Sequence, residues 1–153
     1  MKTVKEFWNV FCETAKINPE TPYQSWCFGN TSEMARDLGE LVLRGDKRAT
    51  ATLLESAKLY PESAPIANGY SVVTDFEGNP MCVIRATEIR NLPFDEVDAE
   101  FAFEEGEGDK SLEYWRRVHH DFFTKDAAEN GLEFNEKSVV VCEKFDLLFP
   151  NRK

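Results

Sequence analysis

Tyr70-Ser71-Val72-Val73-Thr74-Asp75-Phe76-Glu77-Gly78-Asn79-Pro80-Met81-Cys82-Val83-Ile84-Arg85-Ala86-Thr87 decides the fold class. The runs 70–76 and 81–87 are rich in β-branched residues, and Glu77-Gly78-Asn79-Pro80 between them has turn chemistry. This predicts an antiparallel hairpin. Helical patterns flank it on both sides. Upstream, Val4, Phe7, Trp8, Phe11 and Ala15 repeat at helical spacing over 4–16, and Pro19 and Pro22 end the run. A second helix starts near Asn30 or Thr31, either of which can cap it, with Met34, Leu38, Leu41 and Val42 as its apolar stripe. Arg44 suits its last turn and Gly45 its left-handed closing residue. Thr50-Ala51-Thr52-Leu53 reads as a short strand, and Pro61 and Pro65 make the segment after it an irregular loop. Downstream, an acidic stretch over 95–109 leads into a third helix ending near Ala128, with Leu112, Trp115, His119 and Phe122 on one face. A strand over 138–145 closes the pattern. Helices, strands, one helix and a strand in that order imply α+β with a mainly antiparallel, curled sheet.

The chain has 153 residues, and no repeat or linker divides it, so 1–153 is expected to be a single domain. Its 42% apolar content, twelve Phe, three Trp and four Tyr exclude a disordered chain. Its 28 acids against 18 bases give a net charge of −10, the reverse of a nucleic-acid coat protein, so no DNA partner is expected. No apolar run approaches the ~20 residues of a membrane span, and no signal peptide is evident. A cytoplasmic location away from membranes is therefore expected. Cys12, Cys27, Cys82 and Cys142 are widely spaced, which reads as reduced core thiols. Neither a cofactor nor a metal is expected.

Three segments carry possible chemistry. In Gly45-Asp46-Lys47-Arg48-Ala49-Thr50, Lys47 and Thr50 sit three residues apart where a helix passes into a strand. They can converge on one pocket to bind an anion or supply a nucleophile, or the segment is a solvated basic turn. In Glu104-Glu105-Gly106-Glu107-Gly108-Asp109, glycines let the backbone fold the acids together. Crowding raises a carboxyl pKa and suits acid–base work; divalent-cation binding and an acidic helix start are the other readings. In Ser25-Trp26-Cys27-Phe28-Gly29 the aromatics stack on a base or simply belong to the core. His119 and His120 read as ordinary helix histidines.

Together these segments resemble the ASCH family, relatives of the PUA domains. The matching pieces are Trp26-x-Phe28-Gly29, Gly45-x-Lys47-x-Ala49-Thr50, Gly78-x-Pro80, Val83 to Thr87, Pro93-Phe94-x-x-Val97 and Glu105-Gly106-Glu107-Gly108-Asp109-x-Ser111-Leu112-x-x-Trp115. The chain looks like the ~150-residue bacterial branch. The resemblance implies a PUA-like β-barrel with surrounding helices and an RNA- or nucleoside-related cleft. Small bacterial members are amidohydrolases acting on N4-acetylcytidine. Their Lys, Thr and Glu match Lys47, Thr50 and Glu107, with Glu105 the alternative acid. Another member is a ribonuclease in which a Ser matching Ser111 is implicated. The Arg found in the wider family is replaced here by Thr52. Arg48 or Arg85 would then take its part, alongside Gly45, Trp26 and Phe28 as substrate-binding residues. Two other readings stand beside the enzyme. One is a non-catalytic module for a nucleotide or short RNA, using Arg44, Lys47 and Arg48. The other is a metal-dependent ribonuclease using Glu105, Glu107 and Asp109.

Overall fold

The computed structural model describes residues 2–151. In chain order the elements are α1 (Val4–Ala15), β1 (Tyr23–Cys27), α2 (Ser32–Arg44), β2 (Ala49–Leu53), α3 (Leu54–Leu59), β3 (Tyr70–Thr74), β4 (Pro80–Pro93), α4 (Ala99–Glu105), α5 (Leu112–Glu129) and β5 (Val139–Pro150). The strands form one sheet in the order β1-β3-β4-β5-β2. Only β1 and β3 run parallel; the other three pairings are antiparallel. The class is α+β, as the sequence implies. The barrel expected from the resemblance is a half-barrel, with β1 and β2 as its two edges.

The curl comes from β4 and β5. They pair along 14 and 12 residues, with irregularities between Val83 and Ile84 and between Ala86 and Glu88. An extra residue on one strand bends it and steepens its twist. Both strands outrun their expected ends at Thr87 and Phe145. The second irregularity leaves Thr87 out of the pairing and breaks the alternation, so the pattern stops at Thr87 although β5 supplies partners from Glu88 to Pro93. Two short helices fall outside the sequence reading. In α4 the Asp98 carboxylate caps the Phe101 amide at 2.9 Å, and Phe101, Ala102 and Glu105 are buried, features submerged in the acidic stretch. In α3 no side chain caps the start, and the six residues are held by burial of Ser56 and Ala57.

Three groups of side chains fill the interior. Phe7, Trp8, Phe11 and Cys12 of α1 pack on Val72 and Val83. Trp115, Phe123 and Ala127 of α5 pack with Phe94, Phe101 and Val140. Val42 of α2 meets Phe28, Val73, Ile84 and Phe145. The fully buried positions of α2 are Ala35, Gly39 and Val42; Met34, Leu38 and Leu41 are only partly covered. Gly39 explains the rotation, because a Cβ there would lie 2.6 Å from the Met81 methyl group. Of the two possible caps, Thr31 is the one used, accepting from Met34 N at 3.1 Å. All four cysteines are free thiols.

The turn between α2 and β2 is clamped from several sides. Gly45 takes φ 85°. Asp46 and Lys47 amides both donate to Leu41 O, at 3.0 and 3.1 Å. Arg48 N donates to Glu104 O at 2.7 Å, and Phe145 N donates to Arg48 O at 3.0 Å. The turn is thus tied to the ends of α2 and α4 and to β5. Gly106, φ 70°, lies so close that a Cβ would come within 2.0 Å of Asp46 O. Gly131 has the same φ, and a Cβ there meets nothing within 4 Å. Gly131→Ala should therefore cost ~1–2 kcal/mol, the strain of a left-handed L-residue. Gly106→Ala should cost more than ~3 kcal/mol, since a backbone clash adds to the same strain. Equal losses in denaturant unfolding would refute the close-approach argument.

Candidate functional site

Lys47 projects from this turn into the interior and is 1% exposed. Its ammonium lies 2.7 Å from Glu107 Oε2, 3.3 Å from Glu105 Oε2 and 3.4 Å from the Glu105 carbonyl oxygen. The Phe28 ring lies 5.3 Å below it, within cation–π range. Glu105 ends α4 and is as buried as Lys47; Glu107 follows the Gly106 turn and is partly open. His119 enters from α5. Its Nε2 lies 3.2 Å from Glu105 Oε2, and its ring stacks on Trp115 at 4.2 Å. Its Nδ1 lies 2.9 Å from Trp115 O. A carbonyl can only accept, so Nδ1 is a donor; a proton must then also lie between Nε2 and Glu105. His119 is therefore part of the charged cluster rather than an ordinary helix histidine.

The four groups divide into two kinds. Burial opposes the charge on Lys47, but the two carboxylates outweigh it and raise its pKa, so Lys47 is an ammonium. Burial likewise opposes the charge on His119, and Glu105 again wins, raising the imidazole pKa. Glu105 faces the same desolvation, yet Lys47 and His119 hold its carboxyl below the usual carboxylate range. Glu107 goes the other way. Burial and then the negative charge of Glu105 raise its pKa despite Lys47. The proton affinities of the two carboxylates are thus pushed in opposite directions, the pattern that separates acid from base roles.

The cluster forms one wall of a cavity of about 340 Å³, in the range of small-molecule pockets. Trp26, Phe28, Tyr60 and Phe122 supply aromatic surface; Ser56 and Asp126, hydrogen-bonded at 2.7 Å, supply a second polar patch. Thr50 of β2 and Glu143 of β5 open onto the same space. Glu143 is 5% exposed, and burial pushes its carboxyl up to about 7 against the pull of Lys47.

Six of the expected residues are thus brought together: Trp26, Phe28, Lys47, Thr50, Glu105 and Glu107. Phe28 serves the core and the cavity at once. The other four lie outside the lining. Gly45 closes α2, and Arg48 is exposed and donates back to Gly45 O at 3.2 Å. Arg85 lies over the Tyr70 ring and donates to Asn68 O. Ser111 caps α5 by accepting from Tyr114 N. The sequence reading missed Glu143, Ser56 and Asp126. Glu143 has one signal, a lone acid closing the apolar run Val139-Val140-Val141-Cys142.

Glu105, Glu107 and His119 each offer a potential metal-ligand atom, all within 4.8 Å of one another. Lys47 already seats a positive charge on these carboxylates, and a divalent ion there would meet like charge at close range. Asp109, the third acid of the metal reading, is turned away and accepts from Ser111 N at 2.9 Å.

Comparison with known proteins agrees with this architecture. The family model described as ASCH domain matches residues 24–148. The crystal structure of an ASCH domain from Lactobacillus crispatus JV V101 is 31% identical, with a TM-score of 0.80, covering 93% of this chain and 94% of that one. A protein of Enterococcus faecalis V583 is 32% identical, with a TM-score of 0.86, covering 96% and 88%. A search of the curated proteins finds no match. The chain belongs to the ASCH domain family, and its fold is PUA-like.

The buried charges set two stability expectations. Lys47→Met strands buried carboxylates and should cost ~3–5 kcal/mol. Lys47→Met/Glu105→Gln should cost less than the sum of the single changes, and strict additivity in a double-mutant cycle would break the assigned pairing. Glu143 holds its proton to about 7 when folded, against an ordinary 4.5. Between those values the native state binds a proton that the unfolded chain releases, so wild-type stability falls as pH rises through the window, by ~3 kcal/mol. Glu143→Gln removes that loss. Its stability relative to wild type should therefore be greater at pH ~8 than at pH ~4; a difference independent of pH would contradict the buried carboxyl.

Proposed function

We propose that this ASCH-domain protein is an amidohydrolase that removes the acyl group from an acylated nucleoside of the N4-acetylcytidine type. Thr50 attacks the amide carbonyl, the Lys47 ammonium stabilises the oxyanion, and the Glu107 carboxyl protonates the departing amine. Trp26 and Phe28 hold the base. The observation that carries this reading is Lys47 seated between Glu105, held below the usual carboxylate range, and Glu107, raised above its own, on the wall of a cavity that Thr50 also lines. Lys47 is charged, which suits oxyanion stabilisation rather than proton abstraction.

ASCH domains are often RNA-binding. In this chain the balance of charge favours a small neutral ligand. Lys47 is the one Lys or Arg among the described cavity-lining residues, against Glu105, Glu107, Asp126 and Glu143. The basic cluster available to an RNA backbone is reduced as well: Lys47 is buried, and Arg44 lies 3.5 Å from Asp46. Phosphate-led binding needs several free cations.

The test is hydrolysis of N4-acetylcytidine followed by mass spectrometry. Wild type should release cytidine and acetate, undiminished by a chelator. Thr50→Val, nearly isosteric, and Glu107→Gln should each lower kcat/KM by ~10²-fold or more. No release by the wild type, or full release by Thr50→Val, would overturn the proposal.

A further inference from the structure

Glu143 is a buried ionisable group at this cavity that makes no hydrogen bond or ion pair with the charged cluster among the described residues. It sits in β5 directly opposite Thr50 in the antiparallel register with β2. Directly opposed residues project on the same face of a sheet, with Cβ atoms ~4.5–5.5 Å apart. That spacing lets a glutamate reach the neighbouring threonine oxygen. Both residues line the cavity. Neither the Thr50 hydroxyl nor the Glu143 carboxyl has a hydrogen-bond partner among the described residues. The residue is 95% buried, and its carboxyl oxygens are not sealed off in the core but open onto the cavity without a protein partner. A functional reason for keeping it is to be sought in the space it faces.

We propose that Glu143 is the general base that takes the Thr50 proton, an inference that rests on the amidohydrolase reading for its substrate but not for its geometry. The Glu143 carboxylate accepts the hydroxyl proton as Thr50 Oγ1 bonds to the acyl carbon, and the carbonyl π pair moves onto oxygen beside Lys47. Collapse of that intermediate breaks the C–N bond while Glu107 gives its proton to the leaving nitrogen, leaving an acyl ester on Thr50. Water then attacks the ester, a carboxylate of the site takes its proton, and Thr50 leaves as the alcohol with the free acid as product. No oxidant, reductant or metal enters.

The surroundings fit a base rather than a permanent anion. Burial holds the Glu143 proton to about 7, so the group exchanges it near neutrality; Lys47 is the charged group acting on it. Glu105, Glu107 and His119 share the cavity wall. From β2 no charged residue faces it, and from β4 the opposed residue is Ile89. A base poised at the working pH is the efficient choice for proton transfer.

The experiment uses the whole chain with p-nitrophenyl acetate, an activated acyl donor that needs no nucleoside recognition. Wild type, Glu143→Gln, Glu143→Asp and Thr50→Val are compared by the burst of p-nitrophenol and by mass spectrometry of the Thr50 peptide. Wild type should carry one acetyl group on Thr50, formed at a rate that rises with pH and levels off above about 7. Glu143→Gln should acetylate ~10²-fold more slowly and lose the plateau, and Glu143→Asp should restore part of the rate. Thermal unfolding run in parallel separates this from misfolding, since Glu143→Gln is expected to be no less stable than wild type at neutral pH. Acetylation of Thr50 at the wild-type rate and pH profile in Glu143→Gln would overturn the proposal, as would no acetylation of Thr50 in wild type. Glu143-dependent acetylation without turnover of N4-acetylcytidine upholds the base and rejects the nucleoside. Turnover of N4-acetylcytidine that is undiminished in Glu143→Gln does the reverse.

Discussion

A single ammonium group organises this molecule. Lys47 is removed from water as completely as any core side chain, and an isolated buried charge is prohibitively costly. It is tolerated because Glu105 and Glu107 arrive from one side and the face of Phe28 from another. Their arrival depends on backbone features elsewhere: the left-handed Gly45 that turns α2 into β2, the cap of α4 at Asp98, and Gly106 pressed against Asp46. The fold can thus be viewed as the scaffolding needed to keep one cation buried and partnered.

That arrangement has a chemical consequence. Within one cluster the same low-dielectric environment acts on four groups and sends them different ways. Lys47 and His119 gain proton affinity, Glu105 loses it, and Glu107 gains it. Glu143, farther from the cation's hydrogen bonds, is governed mainly by burial, with Lys47 a lesser opposing influence. The result is an ammonium, one carboxylate of lowered and one of raised proton affinity, and a carboxyl pushed up to about 7, around a small aromatic cavity. On the reading proposed above, this is a division of labour that serves to break a polar bond in a small molecule.

Much of this is legible in the sequence, and the limits are physical. The hairpin, α1, α2 and α5 announce themselves through periodicity and caps, because apolar spacing reflects burial directly. The Lys47/Thr50 and Glu105/Glu107 segments stand out because lysine beside a hydroxyl at a helix-to-strand turn, and acids spaced by glycines, serve no propensity. Four residues expected with them lie outside the cavity. Arg48 and Arg85 have long side chains with local acceptors and a ring to lie on, and sequence adjacency says nothing of where such a chain points.

The sequence alone settled the α+β class, the main helices, the hairpin and the family, since these rest on local pattern and on motif order. Contacts across the chain decided the rest. The length of β4 beyond Thr87 depends on pairing with β5, about fifty residues away in sequence. The seating of His119 on Glu105 depends on α5 crossing the end of α4. The placing of Glu143 against Thr50 depends on the register of β2 with β5. Each joins residues that are distant along the chain, and no local propensity carries a trace of the partner that completes them.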